Sequence, residues 1–436
     1  MRNSDLLNRS LAAVWHPCTQ MKSHETLLLV PIQRGEGVWL YDFDGKRYLD
    51  GVSSWWVNLF GHNNLRIKTA IKDQLDQLEH VMLAGFTHER VVQLSEKLSA
   101  LTGLGHCFYA SDGASATEIA LKMSFHYWRN QGRESKTEFI SLQNGYHGET
   151  LGALSVSDVA LFKEVYAPLL RPSTQVPSPD WRLAEVGESA EAYALRCAEA
   201  LEVYVALHSQ KTAALIIEPL VQCAAGMAMY HPVYLQRARE ICSQYHIHLI
   251  ADEIAVGFGR TGTLFACEQA NIRPDFMCLS KGISGGYLPL SVTLTTDEIY
   301  AAFYDDDIAC GFLHSHSYTG NALACSAALA TLAIFEQDDV LNSNRAKAAY
   351  MSNKLKGLAA LPVRHIRNTG MIWAFDAVTD DAYFARRCYE AALARGLLLR
   401  PIGNTVYLMP PYVISETEMD WLAEQTLQLL AELTHA

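Results

Sequence analysis

Short apolar runs alternate along the middle of the chain with longer stretches whose apolar residues recur at helical spacing. Three of the runs are predicted as buried strands, at residues 213–217, 247–251 and 276–279. Each run is followed by a polar residue: Glu218, Asp252 and Ser280. The stretch 233–245, which follows His231 and Pro232, is predicted as the helix between the first two strands. Because strands that alternate with helices pair in parallel, the pattern predicts an α/β fold with a mainly parallel sheet.

The pattern changes beyond about residue 330. Helix-like segments there bracket strands such as 406–409, which ends before Pro410 and Pro411. We therefore predict a large domain over 61–330 and a smaller α+β domain formed by 1–60 and 331–436. The segment 172–191 is rich in proline, serine and acidic residues and is predicted to be an excursion on the surface.

Composition narrows the class of protein. The chain has 436 residues, 50% of them hydrophobic and 19% charged, which is typical of a globular protein with a large core. Its formal net charge of −12 argues against binding to nucleic acid, and no apolar run reaches the roughly 20 residues of a membrane helix. The ten cysteines form no Cys-x-x-Cys pair, and residues 1–14 lack the layout of a signal peptide. We therefore expect a cytoplasmic protein that acts on small molecules, without a metal ion.

Two of the predicted strand ends carry groups that suit pyridoxal phosphate. A carboxylate at Asp252 could pair with the protonated ring nitrogen, so that the ring accepts electrons. Lys281 follows an apolar run, where partial burial would lower its pKa and provide an amine nucleophile. Taken singly, each has an ordinary explanation, because an aspartate often caps the next helix and a lysine is usually solvated. Their occurrence on two strand ends close in sequence favours a site for this cofactor.

A phosphate group needs a helix start with free N–H groups, and residues 111–118 provide a candidate. They follow the apolar run 107–110 and open a helical pattern at 119–127, and the small Gly113 and Ala114 allow an anion to approach the backbone. The alternative is a capping box completed by Glu118. Tyr146, between two glycines, suits stacking on a flat ring, while His147 beside it is either a base or a structural support.

Residues 257–262 match the dinucleotide-binding pattern G-x-G-x-x-G. That motif acts directly between a strand and a helix, whereas five residues separate this one from the predicted strand end at Ala251 and no helix start follows it. The match would make the chain a nicotinamide oxidoreductase, and we reject that interpretation.

Three segments together resemble class III aminotransferases: 251–254 (Ala-Asp-Glu-Ile), 257–262 (Gly-Phe-Gly-Arg-Thr-Gly) and 280–282 (Ser-Lys-Gly). The resemblance extends from about Trp15 to Pro411, nearly the whole chain. It implies the type I pyridoxal-phosphate aminotransferase fold and a homodimer whose subunits share their active sites.

Four further segments resemble one subgroup of that family: Trp15-His16-Pro17, Ser53-Ser54-Trp55-Trp56, His80-Val81-Met82 and Tyr407-Leu408-Met409-Pro410-Pro411-Tyr412. Members of the subgroup act in biotin biosynthesis. The resemblance implies that an amine is transferred to the keto group of 8-amino-7-oxononanoate, giving 7,8-diaminononanoate. It favours S-adenosylmethionine as the amino donor, although lysine-using relatives exist and nothing in the sequence separates the two.

The resemblance also implies roles for individual residues. Lys281 would hold the cofactor as a Schiff base and move the proton, and Asp252 would hold the ring nitrogen. The other implied cofactor contacts are Gly113, Ala114, Tyr146, and the partner-reaching His316 and Ser317. The implied substrate contacts are Trp55, Tyr146, Lys281, Ser315, Arg400 and Cys18. Arg400 also follows an apolar run and precedes Pro401, so a buried guanidinium there needs an anion, either the substrate carboxylate or an internal salt-bridge partner.

The chain departs from the family pattern at two positions. Cys18 stands where the family has a tyrosine, and it lacks the phenol's reach. Ser315-His316-Ser317 stands where the family has Gly-Pro-Thr, and Ser317 keeps a hydroxyl. Cys18 therefore keeps open another class III activity, on an ω-amino acid or a diamine, whereas Trp55 and Trp56 argue against it. A regulator that only binds the cofactor is a weaker alternative, because the chain is acidic and shows no DNA-binding module.

Overall fold

The computed structural model describes residues 2–27 and 29–434. Its strands are β1 Ile32–Glu36, β2 Trp39–Asp42, β3 Arg47–Asp50, β4 His106–Ala110, β5 Glu138–Leu142, β6 Thr174–Val176, β7 Thr212–Ile217, β8 Val221–Gln222, β9 Ala228–Met229, β10 His248–Asp252, β11 Phe276–Leu279, β12 Ser291–Thr295, β13 Val363–Thr369, β14 Ile372–Ala377, β15 Leu397–Leu398 and β16 Thr405–Leu408.

The helical segments are α1 Asn3–Ala13, α2 Ser53–Trp56, α3 Leu65–Leu75, α4 Glu89–Thr102, α5 Gly113–Asn130, α6 Leu151–Val156, α7 Ala160–Lys163, α8 Ala190–His208, α9 Val233–Gln244, α10 Asp297–Ala301, α11 Ala322–Gln337, α12 Val340–Lys354, α13 Phe384–Ala394 and α14 Glu416–Thr434. Short 3-10 turns lie at Met21–Glu25, Glu164–Leu169, Trp181–Leu183, Ala266–Ala270, Lys281–Ser284, Ile308–Cys310 and Leu355–Ala360.

The chain divides into two compact units. The larger unit consists of 66–345 and 369–372, and the smaller unit of 1–65, 346–368 and 373–436. The two main borders predicted from the sequence lie at 60/61 and 330/331. The smaller unit contains the strand order β1-β2-β3-β15 and most of β13-β14-β16, together with helices, as an α+β arrangement.

The larger unit is built on a sheet in which seven described strands lie in the order β4-β12-β11-β10-β7-β5-β6. Neighbours from β11 to β6 pair in parallel, whereas β12 runs antiparallel to both β11 and β4. The central strands β7, β10 and β11 are buried along their whole length, which explains their continuous apolar sequence. The prediction of an α/β fold with a mainly parallel sheet is confirmed.

The segment 172–191 is only partly the predicted surface excursion. Residues 174–176 form β6 and pair in parallel with β5 at the edge of the sheet. Val176, Ser178 and Asp180 are buried, while Val186 is fully exposed. The prediction was wrong for the first part because a three-residue strand at a sheet edge has no periodicity long enough to recognise.

The core of the larger unit lies between α5 and the sheet. Its buried members include Ile119, Ala120 and Met123 of the helix, and Ile216, Ile250 and Phe276 of the strands. This packing fixes the start of α5 beside the ends of the strands. None of the helices in 2–27 and 29–434 is long and apolar enough to cross a membrane.

Candidate active site

The carboxyl ends of five strands meet at one edge of the larger sheet. Strands β4, β5, β7, β10 and β11 all run in the same direction, because β12, which lies between β11 and β4, is antiparallel to both. The residues at or just after these ends are Asp112 and Gly113, Tyr146 and His147, Glu218, Asp252, and Lys281. Ligands in α/β sheets bind at this edge, so the fold assembles there most of the predicted cofactor residues.

Asp252, the last residue of β10, is buried and is held by two groups. Its Oδ2 lies 2.7 Å from His147 Nδ1, and its Oδ1 accepts a hydrogen bond from the Ile254 amide at 3.1 Å. The His147 amide in turn donates to Ser157 Oγ at 2.9 Å, and its carbonyl accepts from Thr117 Oγ1 at 3.0 Å. We assign the ring proton to Nδ1, because a carboxylate oxygen is an acceptor. The sequence predicts either a base or a structural support at His147, and the structure places its ring directly on Asp252.

The second ring nitrogen of His147 is different, since Nε2 is buried and has no hydrogen-bond partner among the described residues. With the proton on Nδ1, Nε2 is a buried acceptor without a donor among the described residues, which is a cost. Among the described residues, the ring is therefore oriented by its bond to Asp252, and the two side chains form one buried pair.

Lys281 begins the 3-10 turn that follows β11, and its φ of 44° lies in the left-handed region. Non-glycine residues adopt that region rarely, and such strain is concentrated at functional sites. Ser280 anchors the turn by donating from Oγ to the Leu290 carbonyl at 2.9 Å. Although the side chain keeps some exposed surface, burial lowers the pKa of the Lys281 amine, while the negative charge of Asp252 opposes that shift. A larger neutral fraction makes the amine a better nucleophile.

Glu218 follows β7 and is buried at the same edge. Its Oε1 accepts from the Tyr146 amide and its Oε2 from the Cys223 amide, both at 3.0 Å. The pKa of this carboxyl is raised to about 7, mainly by burial; His147 opposes the shift and nearby Asp252 adds to it. From the sequence, Glu218 is predicted only as the polar residue that follows a strand. Its position after an apolar strand, like that of Asp252, was the available signal.

The start of α5 is capped by Asp112, whose Oδ1 accepts from the Ser115 amide and whose Oδ2 accepts from Ser115 Oγ, both at 2.9 Å. The amides of Gly113 and Ala114 come first in the helix and have no intrahelical acceptor. A Cβ on Gly113 would lie 2.9 Å from Ile254 Cγ2, so the helix start packs against the residue whose amide holds Asp252. Helix N-termini bind phosphate, and the N-terminus of α5 packs against Ile254, the residue whose amide holds Asp252.

Glu118 does not complete a capping box on α5. Its Oε1 accepts from Thr150 Oγ1 and the Gly152 amide at 2.7 Å each, and from the Ala153 amide at 3.2 Å. It therefore caps the start of α6 instead, which the spacing along the sequence could not show. That alternative for the 111–118 segment was wrong.

Tyr146 follows β5 at the same edge of the sheet. Its hydroxyl donates to Glu149 Oε1 at 3.0 Å, and its ring contacts Phe162 edge to face, with centroids 5.8 Å apart. The side chain is only partly exposed. A ring held at both its hydroxyl and its edge has one orientation, as a stacking platform requires.

Residues 315–317 lie in a loop whose contacts are elsewhere in the larger unit. His316 Nε2 is 2.9 Å from His314 Nε2, whose other ring nitrogen is 2.8 Å from Lys122 Nζ in the middle of α5. Ser315 and Ser317 are exposed. No hydrogen bond within the described ranges joins this loop to Gly113 or Ala114 of the same chain.

The motif at 257–262 is followed by the short 3-10 turn Ala266–Ala270 rather than by an α-helix. The strand–turn–helix context that dinucleotide binding requires is therefore missing from this described segment.

In the smaller unit, the implied substrate residues contact one another. The Arg400 guanidinium carbon lies 4.9 Å from the centroid of the Trp55 ring, and its Nη2 donates to the Cys18 carbonyl at 3.5 Å. Among residues 2–27 and 29–434, no carboxylate forms an ion pair with Arg400. The internal salt bridge considered above is therefore not observed, and the side chain is partly exposed rather than buried. A guanidinium on an aromatic face keeps its donor edge available for an anion.

Trp55 belongs to an unusual turn. The φ angles of Ser53, Ser54, Trp55 and Trp56 are 51°, 47°, 71° and 72°, so the segment called α2 has a left-handed backbone. Each such residue costs about 1–2 kcal/mol relative to the right-handed conformation. We refer to residues 53–56 as the left-handed turn.

The groups of the larger unit fit pyridoxal phosphate on three counts: a carboxylate for the ring nitrogen, an amine for the carbonyl carbon, and a helix start for the phosphate. The buried Asp252 carboxylate, whose contacts are the His147 ring and one amide, is a donor set suited to a protonated ring nitrogen. Fold and site together define a pyridoxal-phosphate-dependent aminotransferase of fold type I.

Comparison with known proteins narrows the class. The model of the aminotransferase class-III family matches residues 20–430, and the chain belongs to that family. It is 47% identical over 97% of both chains to the adenosylmethionine-8-amino-7-oxononanoate aminotransferase of Helicobacter pylori. The crystal structure of the enzyme of that name from Methanocaldococcus jannaschii matches with a TM-score of 0.93 and 37% identity over 98% of this chain and 99% of that one.

Other transaminases share the fold. A PLP-bound amine transaminase from an uncultivated Pseudomonas species matches with a TM-score of 0.90 and 33% identity, over 97% of this chain and 98% of that one. The predicted fold type, enzyme class and cofactor are thereby confirmed. The fold itself does not distinguish the substrates of these relatives.

Proposed function

We propose that the enzyme transfers an amine to the 7-keto group of 8-amino-7-oxononanoate, producing 7,8-diaminononanoate for biotin biosynthesis, with S-adenosylmethionine as the amino donor. The observation that carries this proposal is full-length identity of 47% with a relative named for that reaction. The subgroup segments, above all Trp55 and Trp56 of the left-handed turn, support the same substrate.

When bound, pyridoxal phosphate supplies a carbonyl carbon that amines attack and a ring that accepts electrons. The proposed part of Lys281 follows from its environment. Burial lowers the pKa of its amine, which enlarges the neutral fraction; Nζ would hold the cofactor at its carbonyl carbon and, once freed, would take a proton from a substrate carbon and return it. Asp252 keeps the ring nitrogen charged, and His147 orients that carboxylate at 2.7 Å. The amides of Gly113 and Ala114 would hold the phosphate, and the Tyr146 ring would stack on the cofactor ring.

Arg400 is proposed to bind the carboxylate of 8-amino-7-oxononanoate with its bidentate fork, while Trp55 lies along the alkyl chain. Their contact at 4.9 Å supports a shared task, because an indole face orients the guanidinium without occupying its donors. Ser315 remains a proposed substrate contact, and Cys18 contributes its backbone carbonyl to Arg400.

The second candidate is a class III aminotransferase for ω-amino acids or diamines. The observations that favour it are Cys18 in place of the family tyrosine and the 33% identity with an amine transaminase. One experiment decides between them: formation of 7,8-diaminononanoate is measured with S-adenosylmethionine, lysine or an ω-amino acid as donor. We expect product with S-adenosylmethionine and parallel double-reciprocal plots, as for a ping-pong mechanism. Turnover of ω-amino acids without any 7,8-diaminononanoate would reject the proposal.

We further propose a homodimer with shared active sites. The segment 304–318 carries four strongly exposed apolar side chains, Tyr304, Ile308, Leu313 and Tyr318, at 82%, 75%, 76% and 64% exposure. Exposed apolar clusters of this kind mark protein interfaces. A partner covering this segment would receive His316 and Ser317 at its own phosphate.

Complementation tests the shared sites. Lys281→Ala and Ser317→Ala subunits are mixed, so that one site of a mixed dimer carries both changes and the other carries neither. Activity of the mixture well above that of either variant supports the proposal, and additive low activity contradicts it. We also propose a cytoplasmic location, which the ten cysteines without a disulfide support.

A further inference from the structure

The left-handed turn is held mainly by one side chain. Asp50, the last residue of β3, is fully buried. Its Oδ1 accepts from the Ser54 amide at 2.8 Å, and its Oδ2 accepts from Ser54 Oγ at 2.6 Å. Four successive non-glycine residues with positive φ do not persist unless their surroundings hold them there, so these bonds have a conformational task.

A histidine completes this arrangement. His62 Nε2 lies 3.0 Å from Asp50 Oδ2, and its Nδ1 lies 3.1 Å from Asn58 Nδ2. Because the Asn58 amide donates, Nδ1 of His62 is the acceptor and Nε2 carries the proton to Asp50. Every group that faces the Asp50 carboxylate in these contacts is a donor, which is the pattern expected for a fixed anion.

The turn has two further anchors. Ser53 Oγ donates to the Met409 carbonyl at 2.7 Å, and Trp56 Nε1 donates to the Tyr407 hydroxyl at 3.1 Å. Trp56 is buried, whereas Trp55 is 44% exposed. The residues on both sides of Trp55 are therefore tied down, and its own indole is presented outward to Arg400.

Register explains why Arg400 meets this indole. Strand β15 pairs in parallel with β3, with Leu398 opposite Asp50, and the Gly51 amide donates to the Leu398 carbonyl at 3.1 Å. The segments after β3 and β15 leave the sheet at the same end; the first forms the left-handed turn and the second leads to Arg400. Asp50 thus lies at the point from which both substrate residues are positioned.

We propose that Asp50 is a positioning residue for carboxylate recognition: it holds the left-handed turn, the turn holds the Trp55 indole, and the indole orients the Arg400 guanidinium. Asp50 does not touch the substrate. The inference rests on the proposed function in one respect, the role of Arg400 as the carboxylate receptor.

The test uses nonanoate as a probe and nonan-1-ol as the matched compound without a carboxylate. Binding of each to the holoenzyme is measured by calorimetry, independently of turnover. Asp50→Asn keeps the shape but replaces an acceptor by a donor, and Ser54→Ala removes one bond from the turn in case the first variant folds poorly. Asp42→Asn is the control, because Asp42 is likewise a buried carboxylate that accepts four hydrogen bonds in the smaller unit.

We expect Asp50→Asn to weaken nonanoate binding by about tenfold to a hundredfold, since a small misplacement of a positioning group is enough for such losses. Ser54→Ala should weaken it less, and Asp42→Asn should leave it unchanged. Nonan-1-ol binding should change little in any variant. In an Arg400→Ala background the Asp50→Asn effect should disappear, because a residue that acts through Arg400 has nothing left to position.

Equal nonanoate affinity in Asp50→Asn and the unmodified enzyme overturns the inference, and so does the same loss with and without Arg400. The latter would mean a general structural role. Absence of nonanoate binding to the unmodified enzyme overturns it too. The proposed reaction is judged separately, by 7,8-diaminononanoate formation, so an enzyme that binds nonanoate through Asp50 and Arg400 but makes no such product would reject only the function.

Discussion

Two aspartate–histidine pairs, each with a buried aspartate, lie at strand ends, one in each unit, and they differ in which polar atoms are left without a partner. Asp50 and His62 are satisfied on both sides, because the turn donates to the carboxylate and Asn58 donates to the ring. Asp252 and His147 hold each other at 2.7 Å, but Nε2 of His147 has no partner among the described residues. A pair whose polar atoms are all hydrogen-bonded fixes the backbone around it. The pair with an unsatisfied nitrogen lies at the strand ends where ligands bind, and it orients the Asp252 carboxylate towards a ligand.

The surroundings of the pairs differ in the same sense. Around Asp252 the elements are regular strands and a long helix, and the positive-φ non-glycine residues near the strand ends, such as Lys281 with φ of 44° and Asn144 with φ of 60°, occur singly. Around Asp50 the strain extends over four residues of the left-handed turn. Chemistry is thus placed on rigid elements, while the proposed recognition of substrate depends on a strained segment that hydrogen bonds must hold.

Lys281→Ala should have the largest effect, because no other described side chain at the strand ends offers an amine. We expect turnover to fall by more than about 10³-fold, since the attacking nucleophile is lost. The direct measurement is borohydride reduction of the holoenzyme followed by mass spectrometry. The unmodified protein should gain the mass of the reduced cofactor, and the exposed-lysine control Lys211→Ala should do the same. A Lys281→Ala protein that still gains this mass would move the site to another lysine.

Arg400→Ala tests the smaller unit. We expect KM for 8-amino-7-oxononanoate to rise by about 30- to 100-fold with a smaller change in kcat, because a charged bidentate contact stabilises bound substrate by about 2–3 kcal/mol. Arg400→Lys should recover only part of this, since an ammonium keeps the charge but loses the planar fork. Steady-state kinetics on both variants measure the effect. An unchanged KM in both variants would mean that Arg400 does not bind the substrate, and the proposed recognition of substrate by the smaller unit would fall with it.

His147→Gln and His62→Gln compare the two pairs directly. His147→Gln should lower kcat about tenfold, because the Asp252 carboxylate loses its oriented partner, and should shift the pH dependence of the cofactor absorbance. His62→Gln should raise KM for the keto acid instead and leave that absorbance unchanged. The contrast between kcat and KM carries the test. Identical kinetic profiles in the two variants would show that the pairs have the same, purely structural task.

The difference between the units also explains what could be predicted from the sequence. Asp252 and Lys281 were found because an apolar strand that ends in a polar residue leaves a periodic signal, and Phe276–Leu279 lies where it was predicted. His147 lacks such a signal, because it follows no apolar strand directly and its partner Asp252 is 105 residues away in sequence. Glu218 has the strand-end position, but its partner Tyr146 is 72 residues away, so the sequence alone did not show its role. The left-handed turn has no sequence signature at all, because serine and tryptophan do not favour positive φ. Only its bonds to Asp50, Met409 and Tyr407 reveal it.

Glu218→Gln should have the smallest effect, and it is seen in stability rather than in turnover. Burial raises the pKa of Glu218 from 4.5 to about 7, so the folded protein binds this proton more tightly than the unfolded chain. The stabilisation is therefore full below about pH 4.5 and is lost as the pH rises towards 7. We expect the cofactor-free protein to lose about 2 kcal/mol through this group between pH 5 and 8, and glutamine, which does not titrate, to abolish that part of the loss.

Thermal midpoints at the two pH values measure it, and Glu253→Gln is the matched control, because burial also raises the pKa of Glu253 to about 7. Both variants should flatten the pH dependence of the thermal midpoint. Only Glu218→Gln should change the pH profile of the holoenzyme absorbance, because Glu218 lies at the strand ends with Lys281 and Asp252. Glu253 instead accepts hydrogen bonds from the amides of Ala266 and Cys267. If the thermal midpoint of Glu218→Gln falls as steeply with pH as that of the unmodified protein, the Glu218 carboxyl is already ionised at pH 5. Another group would then have to neutralise its charge beside Asp252.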